Sequence, residues 1–434
     1  MTTGRLRALF AAEGIAFGLS MPFLVPLLDD RGLDAAAIGL ALGTAGVASL
    51  LAYPAWGAAA DGRLGRRRTI ALTSVTAATG GLLILLAGSD PLLITLAISV
   101  TILGALPWGP LIDALTLQEL AEPSAAYGRV RAWASVGWAA SAIIGGAVWQ
   151  IAGPAPVFVA FSASALLVAA LVLMPAARHS TSAPAPNPPA PALDPPAPGP
   201  MAPSLRTDAG SLPATRTTRW LLAQLAVVAS PMLVGFLAGV FVTSIGEHAT
   251  WRFIGLRILD QGGGVLLVGI AAALPAIVEI PVFGSSRRLL ARLGLRMMYV
   301  WGALIAAALA LLVALAPEAW MVTTLRALDG TSYALRYMAM VVIIGALLPG
   351  HLHALGQSLT WLVYAGVAPI VADVAGGLVY EHLGAAALFV AAMLMLLMGG
   401  IVVWLALRGP RFGRGASGSV VAHEVEAVAL PPPA

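Results

Sequence analysis

The chain contains no cysteine and no lysine among its 434 residues, and only 10% of it is charged. Without cysteine there can be no disulfide and no thiolate metal site. Without lysine no phosphate-binding Gly-x-x-x-x-Gly-Lys-Ser/Thr loop can be written, so ATP-driven work by this chain alone is not expected. A soluble domain carries roughly 25% charged residues, and a soluble all-helical protein would need a polar face on every helix. The long apolar runs here have no such face, and 59% of the chain is hydrophobic. The formal charge of +4 comes from arginines at the ends of these runs. They do not gather into one patch, so nucleic acid is not an expected partner. No clustered nucleophile or metal set is present, so no enzyme, cofactor, zinc, haem or nucleotide site is expected. His351 and His353 at one turn lack further ligands for a metal.

What is present is a series of runs each near the ~20 residues needed to cross hydrocarbon as a helix. They are continuously apolar and do not alternate as barrel strands do. The first, about Leu6 to Leu28, carries Glu13 and lacks a small-residue cleavage site, so it reads as a retained span and not a signal peptide. Spans 2 to 6 follow at Ala35 to Ala60, Thr69 to Leu86, Leu92 to about Thr116, about Val130 to Trp149, and Ala155 to Met174. From Pro175 to Pro213 there are twelve prolines with alanine, serine and threonine. Such a segment cannot build a core and reads as a linker. Span 7 is expected from Arg219 to about Ile245, followed by an outer loop holding Glu247. An interfacial turn with Trp251 and Arg252 as anchors then leads to span 8, Asp260 to Phe283. Spans 9 to 12 end near Leu407, and the last twenty residues are expected to be disordered. The fold class is therefore an all-α membrane protein of twelve transmembrane helices in two six-helix bundles. The domains are 1–174, a linker at 175–218, a second bundle at 219–407 and a tail at 408–434.

The arginines agree with this count. Alternate loops hold Arg5 and Arg7, Arg63 and Arg66 to Arg68, Arg129, the linker arginines, Arg287, Arg288 and Arg292, and Arg408, Arg411 and Arg414. The other loops hold mainly Asp29, Asp30, Asp34, Asp90, Glu247, Glu318 and Glu381. Short arginine-rich loops stay cytoplasmic. Both termini are thus expected inside a cytoplasmic (inner) membrane, in direct contact with the lipid bilayer.

The loop after span 2 reads Gly57-x-x-x-Asp61-x-x-Gly65-Arg66-Arg67. In sequence and position it resembles the conserved loop between spans 2 and 3 of the major facilitator superfamily, as does the six-linker-six layout. Residues 127–137 and 376–384 resemble the start of span 5 and the end of span 11 in the branch of phenylpropionate permeases, nucleoside–proton symporters and lactose permease relatives. The second half departs from the loop motif: Glu279-Ile-Pro-Val-Phe-Gly284 has no aspartate where the first half has Asp61. The Gly-Pro signature of drug–proton antiporters is also missing, since Gly145-Gly146 lacks the proline. The resemblance implies two bundles rocking about a central site, with Gly57 packing on the facing bundle and Asp61 and the loop arginines latching an inner gate.

Ionisable residues inside spans are the default functional candidates, because a lone charge there costs at least ~2.5 kcal/mol. Glu13, Asp113 and Arg131 could meet in the first half, and an acid near an arginine there can serve as a proton site or a gate pair. Asp329 and Asp373 are the further proton-coupling candidates. Arg326 and Asp329 are three apart and can pair on one helix face. Arg336 has no acid three or four residues away on its own helix. It requires a partner elsewhere, an anionic ligand or water. Trp108, between Pro107 and Pro110, marks a broken helix whose carbonyls can face a cavity. Arg336, Trp108 and Arg326 are the solute-binding candidates, and Glu279 and Asp260 the conformational ones. The expectation is a monomeric secondary transporter that imports a small organic solute with protons. The rivals are a proton-coupled exporter and a non-transporting membrane protein that binds a pigment or lipid.

Overall fold

The computed structural model describes residues 1–120, 123–175, 230–349 and 352–409. The proline-rich segment, the beginning expected for span 7, His351, Arg411, Arg414 and the tail lie outside the described residues. Among the described residues twelve helices are long and apolar enough to cross a membrane. They are α1 Thr3–Asp30, α2 Ala35–Asp61, α3 Gly65–Leu86, α4 Pro91–Glu119, α5 Tyr127–Ala152 and α6 Pro154–Leu173 in the first half. The second half holds α7 Pro231–Asp260, α8 Val265–Gly284, α9 Arg288–Leu315, α10 Ala319–Leu347, α11 Leu355–Leu383 and α12 Ala385–Ala406.

The helix starts are written locally. Asp34 caps α2 by accepting from the Ala37 N–H at 2.7 Å, and Asp90 caps α4 by accepting from Leu92 and Leu93. Proline stands at the first turn of α4, α6 and α7, where its missing N–H costs nothing. The breaks are local too. Helical geometry is interrupted at Met21–Phe23 in α1, at Leu106 and Pro107 in α4 and at Arg326 in α10, and a π-helical turn, Leu362–Val367, lies in α11.

One expectation is corrected. The stretch from Pro231 to Asp260 is a single helix of 30 residues, about 45 Å long. Trp251 to Leu259 is its last third and no interfacial turn, and Glu247 lies inside the helix and not in a loop. The helix continues past these polar residues because partners on other helices satisfy them, as described below. The chain turns instead at Gln261-Gly262-Gly263, where Gly262 takes a φ of 75°.

Within the first half α1 packs on α5 and α6, and α3 on α4 and α6. Within the second half α7 packs on α12, α9 on α10 and α12, and α8 on α10. The halves meet where α2 packs on α11 and α5 on α8. The chain crosses back and forth, so one end of the molecule carries the arginine-rich turns and the other the acidic turns near Asp29, Asp90 and Glu381. At the acidic end the halves touch closely, as Gly39 does with Gly377 and Gly146 with Gly269. At the arginine end Gly57 has nothing within 4 Å of the position a Cβ would take.

Candidate functional site

In the first half the polar groups are sparsely partnered. Glu13 of α1 is 5% exposed, and its Oε2 is buried with no hydrogen-bond partner. Its Oε1 points toward α4 beside Gly109. Trp108 is fully buried with its edge on Phe17 at 5.6 Å, and its indole N–H is unpartnered. Arg131 of α5 reaches Asp113 of α4 at 3.4 Å, and its side chain stays 48% exposed. The Arg131 charge also acts on Glu13, Tyr127 and Tyr337. Arg131 therefore looks inward to the acids of its own bundle and across to α10. Asp113 and Arg131 meet directly, and Glu13 feels both charges while its buried Oε2 bonds to neither.

The break in α4 has a defined chemistry. Pro107 and Pro110 supply no N–H, so the carbonyls of Leu103 and Leu106 lose their helical partners. Both are satisfied from α2: the Trp56 indole N–H donates to Leu103 at 3.0 Å and the Tyr53 hydroxyl to Leu106 at 3.2 Å. The same arrangement recurs in the second half. Pro275 leaves the Ala271 carbonyl free, and Arg326 Nε donates to it at 3.3 Å. Arg326 thus has two tasks, this carbonyl and Asp329 at 2.5 Å.

In the second half the buried charges are paired. Arg336 Nη1 donates to Glu247 Oε2 at 2.5 Å and its Nε to the Ser332 hydroxyl at 3.3 Å. The Tyr364 hydroxyl donates to the other Glu247 oxygen at 3.3 Å. Arg252 holds Asp373 with two bonds, at 2.7 and 3.2 Å. The Tyr380 hydroxyl bonds to Asp260. Glu279 sits where α8 is crossed by α10: a Cβ on Gly330 would lie 3.0 Å from its amide nitrogen. It faces the charges of Asp329 and, across the gap, Arg131.

Beside these pairs runs a continuous set of rings. Tyr333 stacks on Tyr337 at 5.5 Å, Tyr337 meets Trp361 at 6.1 Å, Trp361 meets Tyr364 at 5.6 Å, and Tyr364 meets His248 at 5.3 Å. Trp361 is 39% exposed, and the π-helical turn in α11 begins directly after it. A π turn adds one residue per turn and re-aims the side chains around it.

The arginine-rich motif is held within its own half. Asp61, 75% exposed, lies 3.6 Å from Arg66. Arg66 donates to the Ala114 carbonyl at 3.3 Å, and Arg67 pairs with Glu119 at 2.5 Å. Gly65 follows with a φ of 73°, which turns the chain into α3.

Two ion-paired groups of α7, Glu247 and Arg252, are not legible as helix members in the sequence, because the polar stretch 246–252 mimics a loop in the middle of one helix. The run Gly262-Gly263-Gly264 was the signal that the turn lay later.

The chain is 28% identical over 399 residues to the maltose permease of Geobacillus stearothermophilus, covering 91% of this chain and 92% of that protein. Its fold is similar to that of the nucleoside transporter NupG (TM-score 0.72, 14% identity, 94% of this chain and 99% of that one). It is also similar to a D-xylose-proton symporter (TM-score 0.64, 12% identity, 93% and 97%). The MFS_1 like family matches residues 10–391. This match over most of the chain, together with the twelve spans, shows that the protein belongs to the MFS_1 like family and is a transporter of the major facilitator type.

Proposed function

We propose that this transporter imports a small organic solute across the cytoplasmic membrane together with protons, as a monomer, with the arginine end and both termini inside. Bundles 1–174 and 219–407 rock about the central gap, joined by the segment 175–218. The observation that carries the reading is Glu13, a buried carboxyl with an unpartnered oxygen beside the exposed pair Asp113–Arg131. An acid in this setting holds a proton when the gap is dry. It gives the proton up when water or the Arg131 guanidinium comes closer. Arg131 can serve Asp113 or Glu13 but not both fully, so proton release and rearrangement of the pair are linked.

The ring wall Tyr333–Tyr337–Trp361–Tyr364 and the pair Glu247–Arg336 are the solute side. Aromatic faces stack on ring-bearing solutes, and a donor beside an acceptor can bond to hydroxyls. Glu247 cancels the charge of Arg336, which favours a neutral solute over a carboxylate. The permease relative puts saccharides first in a panel, followed by nucleosides.

The test is uptake into proteoliposomes under an imposed pH gradient, comparing wild type with Glu13→Gln. Accumulation that follows the gradient and is lost in the variant, while solute counterflow persists, supports the reading. Accumulation unchanged in the variant would remove Glu13 from the proton path. Proton-driven loss of solute would make the protein an exporter.

A further inference from the structure

The two contacts that join the bundles at the acidic end are built alike. On α5, Gly146 lies against the start of α8: a Cβ there would sit 2.9 Å from the Val265 carbonyl oxygen and 3.0 Å from the Leu266 Cα. On α11, Gly377 lies against the start of α2, with its Cβ position 2.4 Å from the Ala35 carbonyl oxygen. The facing helices return the contact one turn on. Gly269 of α8 touches the Ala142 carbonyl oxygen, and Gly39 of α2 the Asp373 carbonyl oxygen, each at 2.2 Å from the Cβ position. Ala142 and Asp373 each stand one turn before the glycine of their own helix. Each glycine is followed one turn later by an acceptor, Gln150 on α5 and Glu381 on α11. Gln150 Oε1 accepts from the Leu266 N–H at 3.3 Å, and Glu381 Oε2 accepts from the Ala35 N–H at 3.0 Å.

The first amides of a helix have no partner within it. A side chain that normally caps such a helix comes from the same chain segment just before it. Here the capping position before α8 is Gly264, which has no side chain to offer, and a Cβ at Gly264 would stand 2.8 Å from Gln150 Oε1. At α2 the local cap Asp34 serves Ala37 and leaves the Ala35 amide to Glu381. Both caps therefore come from the opposite bundle.

We propose that Gly146-x-x-x-Gln150 and Gly377-x-x-x-Glu381 are a clasp used twice, which holds the acidic end shut by capping the helices of the facing bundle. The bonds exist only while the bundles touch at this end. They stabilise the state closed there and open toward the arginine end, and they vanish when the bundles rock the other way. The glycines set the distance, because any side chain at these positions would meet backbone. Gln150 and Glu381 are positioning residues: they touch neither the ring wall nor Glu13, and they set how much of the transporter rests in each state. The clasp depends on the two-bundle motion alone, and neither the solute nor the coupling ion enters into it.

The absence of cysteine makes the test direct. Cysteines introduced at Asp90 and Glu318, in exposed turns of the two bundles at the acidic end, accept spin labels with no native thiol to remove. Distances are measured by double electron–electron resonance on the full chain in lipid. Wild type should populate mainly the short distance. Removing one cap, as in Gln150→Ala or Glu381→Ala, should shift the short-to-long ratio by about fivefold, and removing both by about twenty-fivefold, in line with the usual worth of a helix cap. Glu381→Gln should keep the wild-type distribution, because an amide oxygen already does the same work at Gln150. Gly377→Leu should give the largest shift. Monodispersity of each variant shows that it is folded. A folded double alanine variant with unchanged distances would overturn the clasp. So would Glu381→Gln behaving like Glu381→Ala, since the carboxylate would then act by charge and not as a cap.

Discussion

The two bundles bury charge differently. In the second, three of the four buried or half-buried arginines of α7 and α10 hold a carboxylate at 2.5–2.7 Å, Arg336 with Glu247, Arg252 with Asp373 and Arg326 with Asp329, while Arg257 donates to the Ala316 carbonyl. In the first, Asp113 and Arg131 stand 3.4 Å apart, and Glu13 has an oxygen bonded to nothing. A close buried pair resists change, because separating it leaves two uncompensated charges in low dielectric. A loose set with one acid too many can exchange a proton or a partner at small cost. The tight bundle is thus suited to hold shape and present a neutral surface to solute, and the loose one to titrate.

The sharpest way to break this contrast is to remove one member of the tight pair. Arg336→Met should destabilise the protein by about 3–5 kcal/mol, and the double change Glu247→Gln with Arg336→Met should recover most of that loss. Thermal unfolding in detergent reads both. Equal losses in single and double variants would mean that the pair is not the unit.

Glu13→Gln comes next. It should lower gradient-driven uptake by about a hundredfold, the scale expected for a positioned proton-transfer group, with little effect on melting temperature. A large stability change instead would place Glu13 among the structural groups and remove the contrast. Trp361→Ala, on the solute side, should weaken solute binding by about tenfold, in keeping with the loss of one stacked ring, and leave the proton dependence of transport as it was. Binding by isothermal calorimetry and uptake against pH separate the two.

Tyr53→Phe removes only the hydrogen bond to the Leu106 carbonyl. It should cost about 1 kcal/mol, the net worth of one such bond, measured as a shift in thermal midpoint. The smallest effect belongs to Asp61→Asn. Its exposed contact with Arg66 at 3.6 Å should contribute no more than about 0.5 kcal/mol to stability, while the rate of transport falls if the motif engages the facing bundle in the alternate state. A change in unfolding with no change in rate would reverse that assignment.

The twelve-span fold was legible in the chain because hydrocarbon imposes a simple demand. About twenty apolar residues must cross it, every backbone polar group must be satisfied within the helix, and charge must gather at the ends. The break at Pro107 and Pro110 and the internal placement of Glu13, Asp113, Arg131, Arg326 and Arg336 were legible for the same reason. The span 7 boundary was not. A glutamate, a histidine and an arginine in seven residues mimic a loop; Arg336 and Asp373, far away in sequence, pair the two charges inside the helix, and the His248 ring bonds to the Ser244 carbonyl one turn back.

The sequence by itself thus determined the membrane setting, the number of spans, the two-fold layout and the set of residues whose burial needs an explanation. These follow from local composition, where the solvent alone is the judge. Tertiary structure alone decided which charges neutralise each other, which acid is left over, and that Trp56, Tyr53 and Arg326 satisfy carbonyls that prolines expose on a neighbouring helix. It also decided that Gln150 and Glu381 cap helices belonging to the other bundle. Such pairings depend on which faces of distant helices meet, and a helix of fixed composition can turn any of its faces toward a neighbour.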